Sequence, residues 1–380
     1  MAHLFGDKLF QDFGPSDYVL ADGIVRTTRI DGSLRGQVRT QAPSRPGVYG
    51  MLDRDEQLLY VGKAKNLRVR LLSYFRRKGR PPKAGRLVGQ ARSIIWEVLP
   101  SEFASLLREL ELIRRWRPRW NVQGQPLRRR LAFVCMGRAP APYLYLTRNV
   151  TARVQAAFGP VTAGDVAIRA IRCLNDCYKL RDCPEPQEMI FPDQGDLFPG
   201  VRPAGCLRMD IGTCLGPCTG ACTRRDYQKQ TRQARAFLTG EDKSVLDILE
   251  RDMAAAAMAQ QFERAADLRD RLDAVRWLSD RLQRVRRAQR EMSFVYPVAG
   301  HDGSTTWYLI HGARVVAALS PPNDQTRESV REKLNAVYRA GLGLLDSYEH
   351  ADSMMVVMQW FRKYPDQRRA CISPDAAATL

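Results

Sequence analysis

Apolar positions along this 380-residue chain change period several times, and each change marks an element. Two short apolar runs, 48–52 and 58–61, flank the turn-like Asp53-Arg54-Asp55-Glu56, which predicts a β-hairpin opened by Pro46-Gly47. Helical spacing follows at Leu67, Leu71, Leu72 and Phe75. A basic loop with glycine and proline, 79–85, then leads to a third strand around 94–99. Pro100-Ser101 opens a helix with Phe103, Leu106, Leu107, Leu110 and Ile113 at i, i+3, i+4, i+7 and i+10, and Pro118 stops it. Residues 126–172 read as a small mixed segment with strands near 131–136 and 143–146. From Leu246 to about Leu282 the pattern is helical, and the last ninety residues predict a hairpin (306–310, 315–319) and a helix around 354–361. The expected class is α+β, with an antiparallel three-stranded sheet and helices in the first compact unit.

Charge changes this picture. The net charge is +19, and residues 62–130 hold 19 Lys/Arg against 4 Glu, so most of the excess lies in one stretch. A charge that concentrated points to nucleic acid. A membrane surface is disfavoured, because there is no long apolar run and no basic amphipathic helix with a bulky apolar face. The first eighteen residues contain an early Asp and no continuous apolar core, so they do not read as a signal peptide, and the expected location is the cytoplasm of a bacterial-type cell. Nine cysteines in a reducing compartment, clustered and odd in number, favour metal ligation over disulfides.

Candidate chemistry concentrates on the hairpin and the helix after it. Gly47-Val48-Tyr49 and Tyr60-Val61-Gly62 sit on adjacent strands, followed by Lys63, Arg68 and Arg70, then Glu109 on a helix and Asn121 just beyond. Tyr49 and Tyr60 read singly as core tyrosines. Glu109 lacks a basic residue at i+3 or i+4, whereas Glu111 has Arg114 and Arg115 there; Glu109 also falls at the edge of the apolar stripe. Taken as a set, the strings PGVY (46–49), YVGKAKNLRVRL (60–71) and LIRRWRPRWNV (112–122) resemble the GIY-YIG nuclease family, and its UvrC branch in particular. The Tyr49-to-Tyr60, Tyr60-to-Arg70 and Glu109-to-Asn121 steps match that register.

The resemblance implies phosphodiester hydrolysis, which needs an activated water, a neutralised phosphate and help for the leaving oxygen. It implies that Glu109 holds one Mg²⁺ or Mn²⁺, a hard cation suited to a carboxylate. One of Tyr49 and Tyr60 would act as general base or orient the water, and Arg70 would grip the scissile phosphate with Lys63 as a second contact. Gly62 would let backbone approach closely, and Asn121 would orient the site. Lys65, Arg68, Arg76, Arg77, Lys78, Arg80, Lys83 and Arg86 are expected on the DNA backbone, making binding salt-dependent.

Cys206, Cys214 and Cys218 follow Cys183 with C-x7-C-x3-C spacing. Resemblance to UvrC implies a [4Fe–4S] cluster on these four, although spacing alone fits tetrahedral zinc equally. Cys222, Cys173 and Cys177 are spare ligands; Cys135 and Cys371 read as buried or incidental. Residues 249–275 resemble the UVR helical hairpin that meets UvrB, with Leu249 and Met253 facing Leu268, Leu272 and Val275, and with Phe262 at the partner interface. The expected layout is an N-terminal extension (1–42), a GIY-YIG domain (43–125), a linker and cysteine-rich domain (126–228), a UVR hairpin (229–285) and a small C-terminal α/β segment (286–380). In that last segment His301, Asp302, Asp324, Asp346 and Asp352 carry no UvrC-like motif and read as surface residues.

The implied activity is a damage-directed endonuclease of nucleotide excision repair, within an SOS-type response. It would act on lesion-bearing duplex DNA and make one incision 3′ to the lesion after recruitment by UvrB. A non-catalytic UvrB- or DNA-binding adaptor, and a structure-specific nuclease independent of UvrB, are the competing readings.

Overall fold

A computed structural model of the chain describes residues 12–19, 27–31, 33–76, 82–124, 131–151, 154–183, 187–193, 205–340 and 351–380. They fall into two compact units, one from Met1–Pro126, Gln289–Gly341 and Asp352–Leu380, the other from Leu127–Ala288 and Leu342–Ala351. The segment after residue 288 thus belongs mostly with the nuclease-like region rather than standing alone.

The first unit runs β1 (Thr27–Asp31), α1 (Leu34–Gln41), β2 (Gly47–Leu52), β3 (Leu58–Ala64), α2 (Leu67–Ser73), α3 (Pro82–Gln90), β4 (Ser93–Val98), α4 (Glu102–Trp116) and α5 (Arg119–Gly124). The hairpin, the third strand and the long helix lie where the periodicity puts them. The sheet, however, has four antiparallel strands rather than three, in the order β1-β4-β2-β3. The added strand comes from the stretch expected to be an extension: Thr27–Asp31 pairs along the whole of β4. The basic loop is also shorter than expected, because Pro82 sits at the start of α3, where a missing N–H costs nothing.

Side chains alternate across the central strands, so the sheet has a core on each face. Tyr49 and Met51 join Leu67, Leu71, Ile94 and Trp96 on one face, while Val48 and Leu52 join Val61, Ile95, Leu112 and Ile113 on the other. Gly47 is required where β2 meets β4, since a Cβ there would collide with the Glu97 carbonyl and the Leu67 side chain. Helix α4 is capped by the Ser101 hydroxyl, which accepts from Ala104 N–H at 3.1 Å, and closes on Arg117 in the left-handed region before Pro118. It buries Phe103, Leu107, Leu112 and Ile113, each a contribution of about 1.5–3 kcal/mol.

Residues 12–19 are tied to the same helix. Phe13 is buried, Arg108 donates to the carbonyls of Gly14 and Pro15, and Glu111 accepts from Ser16 Oγ and Asp17 N–H. Glu111, which has Arg114 and Arg115 at i+3 and i+4, pairs with Arg115 at 3.6 Å but is buried and bound more closely by Arg108 at 2.7 Å.

In the second unit β5 (Leu131–Met136), β6 (Leu144–Thr147) and β7 (Ala156–Thr162) form a three-stranded antiparallel sheet in the order β6-β5-β7. It is followed by α6 (Asp165–Cys177), α7 (Leu207–Asp210), α8 (Arg224–Thr239), α9 (Ser244–Met258) and α10 (Phe262–Glu291). Back in the first unit, β8 (Phe294–Ala299), β9 (Thr305–His311) and β10 (Arg314–Leu319) form a second antiparallel sheet. The turn between β9 and β10 uses Gly312 and Ala313, both at positive φ. Helices α11 (Arg327–Arg339), α12 (Ala351–Lys363) and α13 (Pro374–Thr379) complete it.

Candidate active site

The β2–β3 register sets Tyr49 opposite Gly62 and Met51 opposite Tyr60, so both tyrosines lie on one face of the hairpin. The Tyr49 ring occupies the space a side chain at 62 would need: a Cβ there would lie 2.5 Å from Tyr49 Oη and 2.6 Å from Cζ. The glycine therefore makes room for a tyrosine ring, not for approaching backbone.

Tyr74, just past α2, completes the group and was missed in the sequence. Its hydroxyl lies 2.7 Å from that of Tyr49. Arg70 Nε donates to Tyr49 Oη at 3.2 Å and Arg70 Nη2 to Tyr74 Oη at 3.3 Å, with the guanidinium over the Tyr74 ring. Its only sequence signal was the i+4 spacing from Arg70. Burial, and then the neighbouring Tyr74, push Tyr49 and Tyr60 above the usual phenol range. Neutral hydroxyls on a guanidinium can orient a water or pass a proton along; they do not supply a standing phenolate at neutral pH.

Glu109 projects from α4 to β3, where its Oε1 accepts the Lys63 backbone N–H at 3.0 Å. Loss of water pushes its carboxyl above the ordinary value, against the pull of the Lys63 amide, the Lys63 ammonium and Arg70. A half-buried carboxylate left under-compensated in this way fits a hard cation. Asn121 is buried and holds the edge strand: its Oδ1 accepts Val61 N–H and its Nδ2 donates to Val61 C=O, both at 2.8 Å. Tyr49, Tyr60, Gly62, Lys63, Arg70, Glu109 and Asn121 are thus joined directly or through one neighbour.

The basic set is more mixed. Arg76 and Arg86 are exposed. Arg68 is anchored, its Nε donating to Ala42 C=O at 2.6 Å. Lys65 pairs with Glu102 at 2.8 Å and donates to Tyr364 Oη at 2.8 Å. Arg77, Lys78 and Arg80, and the side chain of Lys83, lie outside the described residues. Asp346 lies outside them as well; Asp352 is half-buried 3.7 Å from Arg114 rather than a free surface carboxylate, and Asp302 is exposed and caps Ser304.

In the second unit, burial raises the Cys214 and Cys218 thiols, against the Gly216 amide at Cys214 and with the Cys183 and Cys206 thiols adding to the rise on both. Gly216 N–H donates to Cys214 Sγ at 3.4 Å and Arg181 points at Cys183 Sγ. The donor set is chemically suited to a soft metal, but the thiols do not close around one point: among the described residues no group of three or more His, Cys, Asp or Glu is placed to hold a metal. Cys222 joins the neighbourhood, pushed up to about 12 by burial, whereas Cys173 and Cys177 form a pair of their own with 3.8 Å between sulfurs.

At the far end of this unit α9 and α10 meet in a hairpin turned at Gln260. Leu249, Leu272 and Val275 share a buried cluster with Met253 and Leu268, while Phe262 at the tip is 71% exposed and Met258 87%. No helix of the described residues is long and apolar enough to cross a membrane.

Comparisons with known proteins match three stretches of the chain. Residues 45–122 match the UvrC-like GIY-YIG domain, 132–237 the UvrC/Cho excinuclease middle domain, and 243–276 the UvrB/uvrC motif. The chain is similar to the UvrABC system protein C of Pseudomonas syringae pv. tomato, 36% identical over 236 residues, covering 62% of this chain and 37% of the relative. That of Pseudomonas aeruginosa (strain LESB58) is 31% identical over 301 residues, covering 79% of this chain and 47% of the relative. The chain thus spans less than half the length of these relatives. Among solved structures, the magnesium-bound GIY-YIG N-terminal endonuclease domain of UvrC from Thermotoga maritima is 30% identical, covering 24% of this chain and 99% of that one, with a TM-score of 0.22. With a GIY-YIG endonuclease domain, the excinuclease middle domain and the UVR motif in that order, the chain belongs to the UvrC-like family.

Proposed function

We propose that this chain is a metal-dependent DNA endonuclease of nucleotide excision repair that nicks one strand 3′ to a lesion after recruitment by UvrB. The observation that carries the reading is one hairpin that bears Arg70 bonded to the Tyr49–Tyr74 hydroxyl pair on one face, Glu109 bound at the Lys63 amide of its strand β3, and Asn121 holding that strand.

In this reading Arg70 binds the scissile phosphate through the donors it does not spend on the tyrosines. The Tyr49, Tyr60 and Tyr74 hydroxyls orient the attacking water. Lys63 fixes Glu109 through its amide and offers its ammonium to the phosphate charge. A divalent cation on Glu109 would supply Lewis acidity and neutralise charge at the leaving oxygen. Lys65, Arg68, Arg76, Arg77, Lys78, Arg80, Lys83 and Arg86 track the duplex backbone, each phosphate contact adding about 0.9 to the salt slope.

Phe262 and Met258 at the hairpin tip form the exposed apolar pair that UvrB would cover. A buried aromatic hot spot of this kind is worth about 2 kcal/mol or more, about thirtyfold in affinity. The four cysteines are proposed as a thiolate metal site holding [4Fe–4S], with zinc as the alternative; iron, acid-labile sulfide and zinc analysis of protein purified without oxygen separates the two.

The test is mapped cutting of a lesion-bearing duplex with UvrA, UvrB and Mg²⁺. The expected product is one nick 3′ to the lesion, lost without UvrB and weakened in Phe262→Ala. Cutting that is indifferent to UvrB and to Phe262→Ala would make the chain a structure-specific nuclease acting alone. No cutting by a protein that still binds UvrB would make it an adaptor.

A further inference from the structure

The segment after residue 291 supplies nothing to the chemistry above, yet it is built onto the helix that carries Glu109. Phe103, near the start of α4, meets the rings of Tyr296, Tyr308 and Trp360 at centroid distances of 5.2, 5.0 and 5.1 Å. Trp360 Nε1 donates to Tyr296 Oη at 3.1 Å, which fixes the end of α12. Tyr364 follows, its ring 4.6 Å from that of Trp360.

One residue before Phe103 stands Glu102, seven positions from Glu109 and so on the same helix face two turns away. Its Oε1 takes the Lys63 ammonium at 3.2 Å and its Oε2 the Lys65 ammonium at 2.8 Å. Tyr364 Oη accepts from Lys65 at 2.8 Å and donates to Glu102 Oε2 at 3.2 Å. The same Lys63 holds Glu109 through its backbone amide. An isolated surface ion pair would order little, but here one carboxylate and one phenol hold two lysines at and just past the end of β3, and the phenol rests on a buried aromatic cluster.

We propose that Glu102 and Tyr364 are positioning residues, through which the C-terminal module presets the Lys63 and Lys65 ammonium groups, on the helix face that carries Glu109 two turns on, to receive the phosphates of the cut strand. Long flexible lysines otherwise lose side-chain freedom when the phosphate arrives, and presetting removes that cost from the reaction. This inference rests on the nuclease reading above.

The test uses the full chain with Mg²⁺. Glu102→Gln should slow single-turnover nicking at saturating DNA about tenfold and Tyr364→Phe about threefold. DNA affinity should stay within twofold and the unfolding midpoint should not move. The double variant should be no slower than Glu102→Gln alone, because both act through one network. Unchanged rates, additive losses, or losses that follow a falling midpoint overturn the proposal. A second measurement needs no catalysis: acylation of Lys65, relative to exposed Lys333, should rise at least threefold in both variants, because only the free amine reacts. If the unaltered protein fails to cut any duplex, the nuclease reading falls, while the footprint still decides whether the two lysines are held.

Discussion

Replacing Asn121 by alanine removes the clamp on the outer edge of the nuclease sheet. Strand β3 is an edge strand, so beyond β2 its Val61 N–H and C=O have no strand to bond with, and the Asn121 amide stands in for one. Both bonds are 2.8 Å long and the side chain is 1% exposed. Two buried hydrogen bonds lost together, with both partners left behind, cost about 2–4 kcal/mol. In a unit of about 200 residues that lowers the unfolding midpoint by about 5–15 °C. The consequence for activity is larger than the stability change suggests. Val61 lies between Tyr60 and Gly62, and Lys63 follows, so slack at this point displaces the tyrosine pair and Glu109 together; a misplacement of about 1 Å costs about a hundredfold in rate. The assay is thermal unfolding followed by circular dichroism, paired with single-turnover nicking well below the variant's own midpoint. A midpoint within 1 °C of the unaltered protein, or full activity, refutes the clamp.

Gly62→Ala should leave the fold intact but push the Tyr49 hydroxyl off Arg70 and Tyr74, cutting single-turnover nicking about a hundredfold while DNA binding is kept; activity within twofold contradicts the packing argument. Arg108→Ala strips the counter-charge from buried Glu97 and Glu111 and the anchor from Gly14 and Pro15. Breaking such a buried set costs about 3–5 kcal/mol, read by denaturant unfolding; a loss under about 1 kcal/mol contradicts it. Glu109 is raised above 4.5 in the folded protein, so the folded state binds its proton more tightly than the unfolded chain. Its contribution therefore favours folding at acid pH and turns against it as pH rises through the carboxylate range. At pH 7 Glu109→Gln should raise the unfolding midpoint of the metal-free protein and abolish stabilisation by Mg²⁺; a lower midpoint contradicts the sign.

How much of this was legible depended on whether a residue's partner was local. Tyr49, Tyr60, Arg70 and Glu109 stand on one hairpin and two helices, and the resemblance to the family's register, not any one local pattern, picked them out. Tyr74 falls in a helical run with Leu67, Leu71 and Phe75 and looks like one more core aromatic; only the hydroxyl it shares with Tyr49 sets it apart. Asn121 was visible as a motif position, but its work is done on the backbone of Val61, sixty residues away, which no side-chain pattern records. Residues 12–19 and 27–31 have no periodicity because long-range partners order them: Arg108 and Glu111 for the first, β4 for the second. At Glu111 the i+4 arginine does pair, but the closer bond comes from the buried Arg108 at i−3, whose burial depends on residues 12–19 far away in sequence. For the four cysteines, spacing carried no information on whether their sulfurs would converge, and among the described residues they do not.

The central claim is that one carboxylate on α4 makes this chain a nuclease. Single-turnover cutting of a lesion-bearing duplex by the unaltered protein and by Glu109→Ala, with UvrA, UvrB and saturating Mg²⁺, tests it most directly. One nick 3′ to the lesion is expected, slowed at least about a hundredfold in Glu109→Ala with UvrB and DNA binding unchanged. Cutting by Glu109→Ala at the unaltered rate, or two cuts that both survive it, would contradict the account.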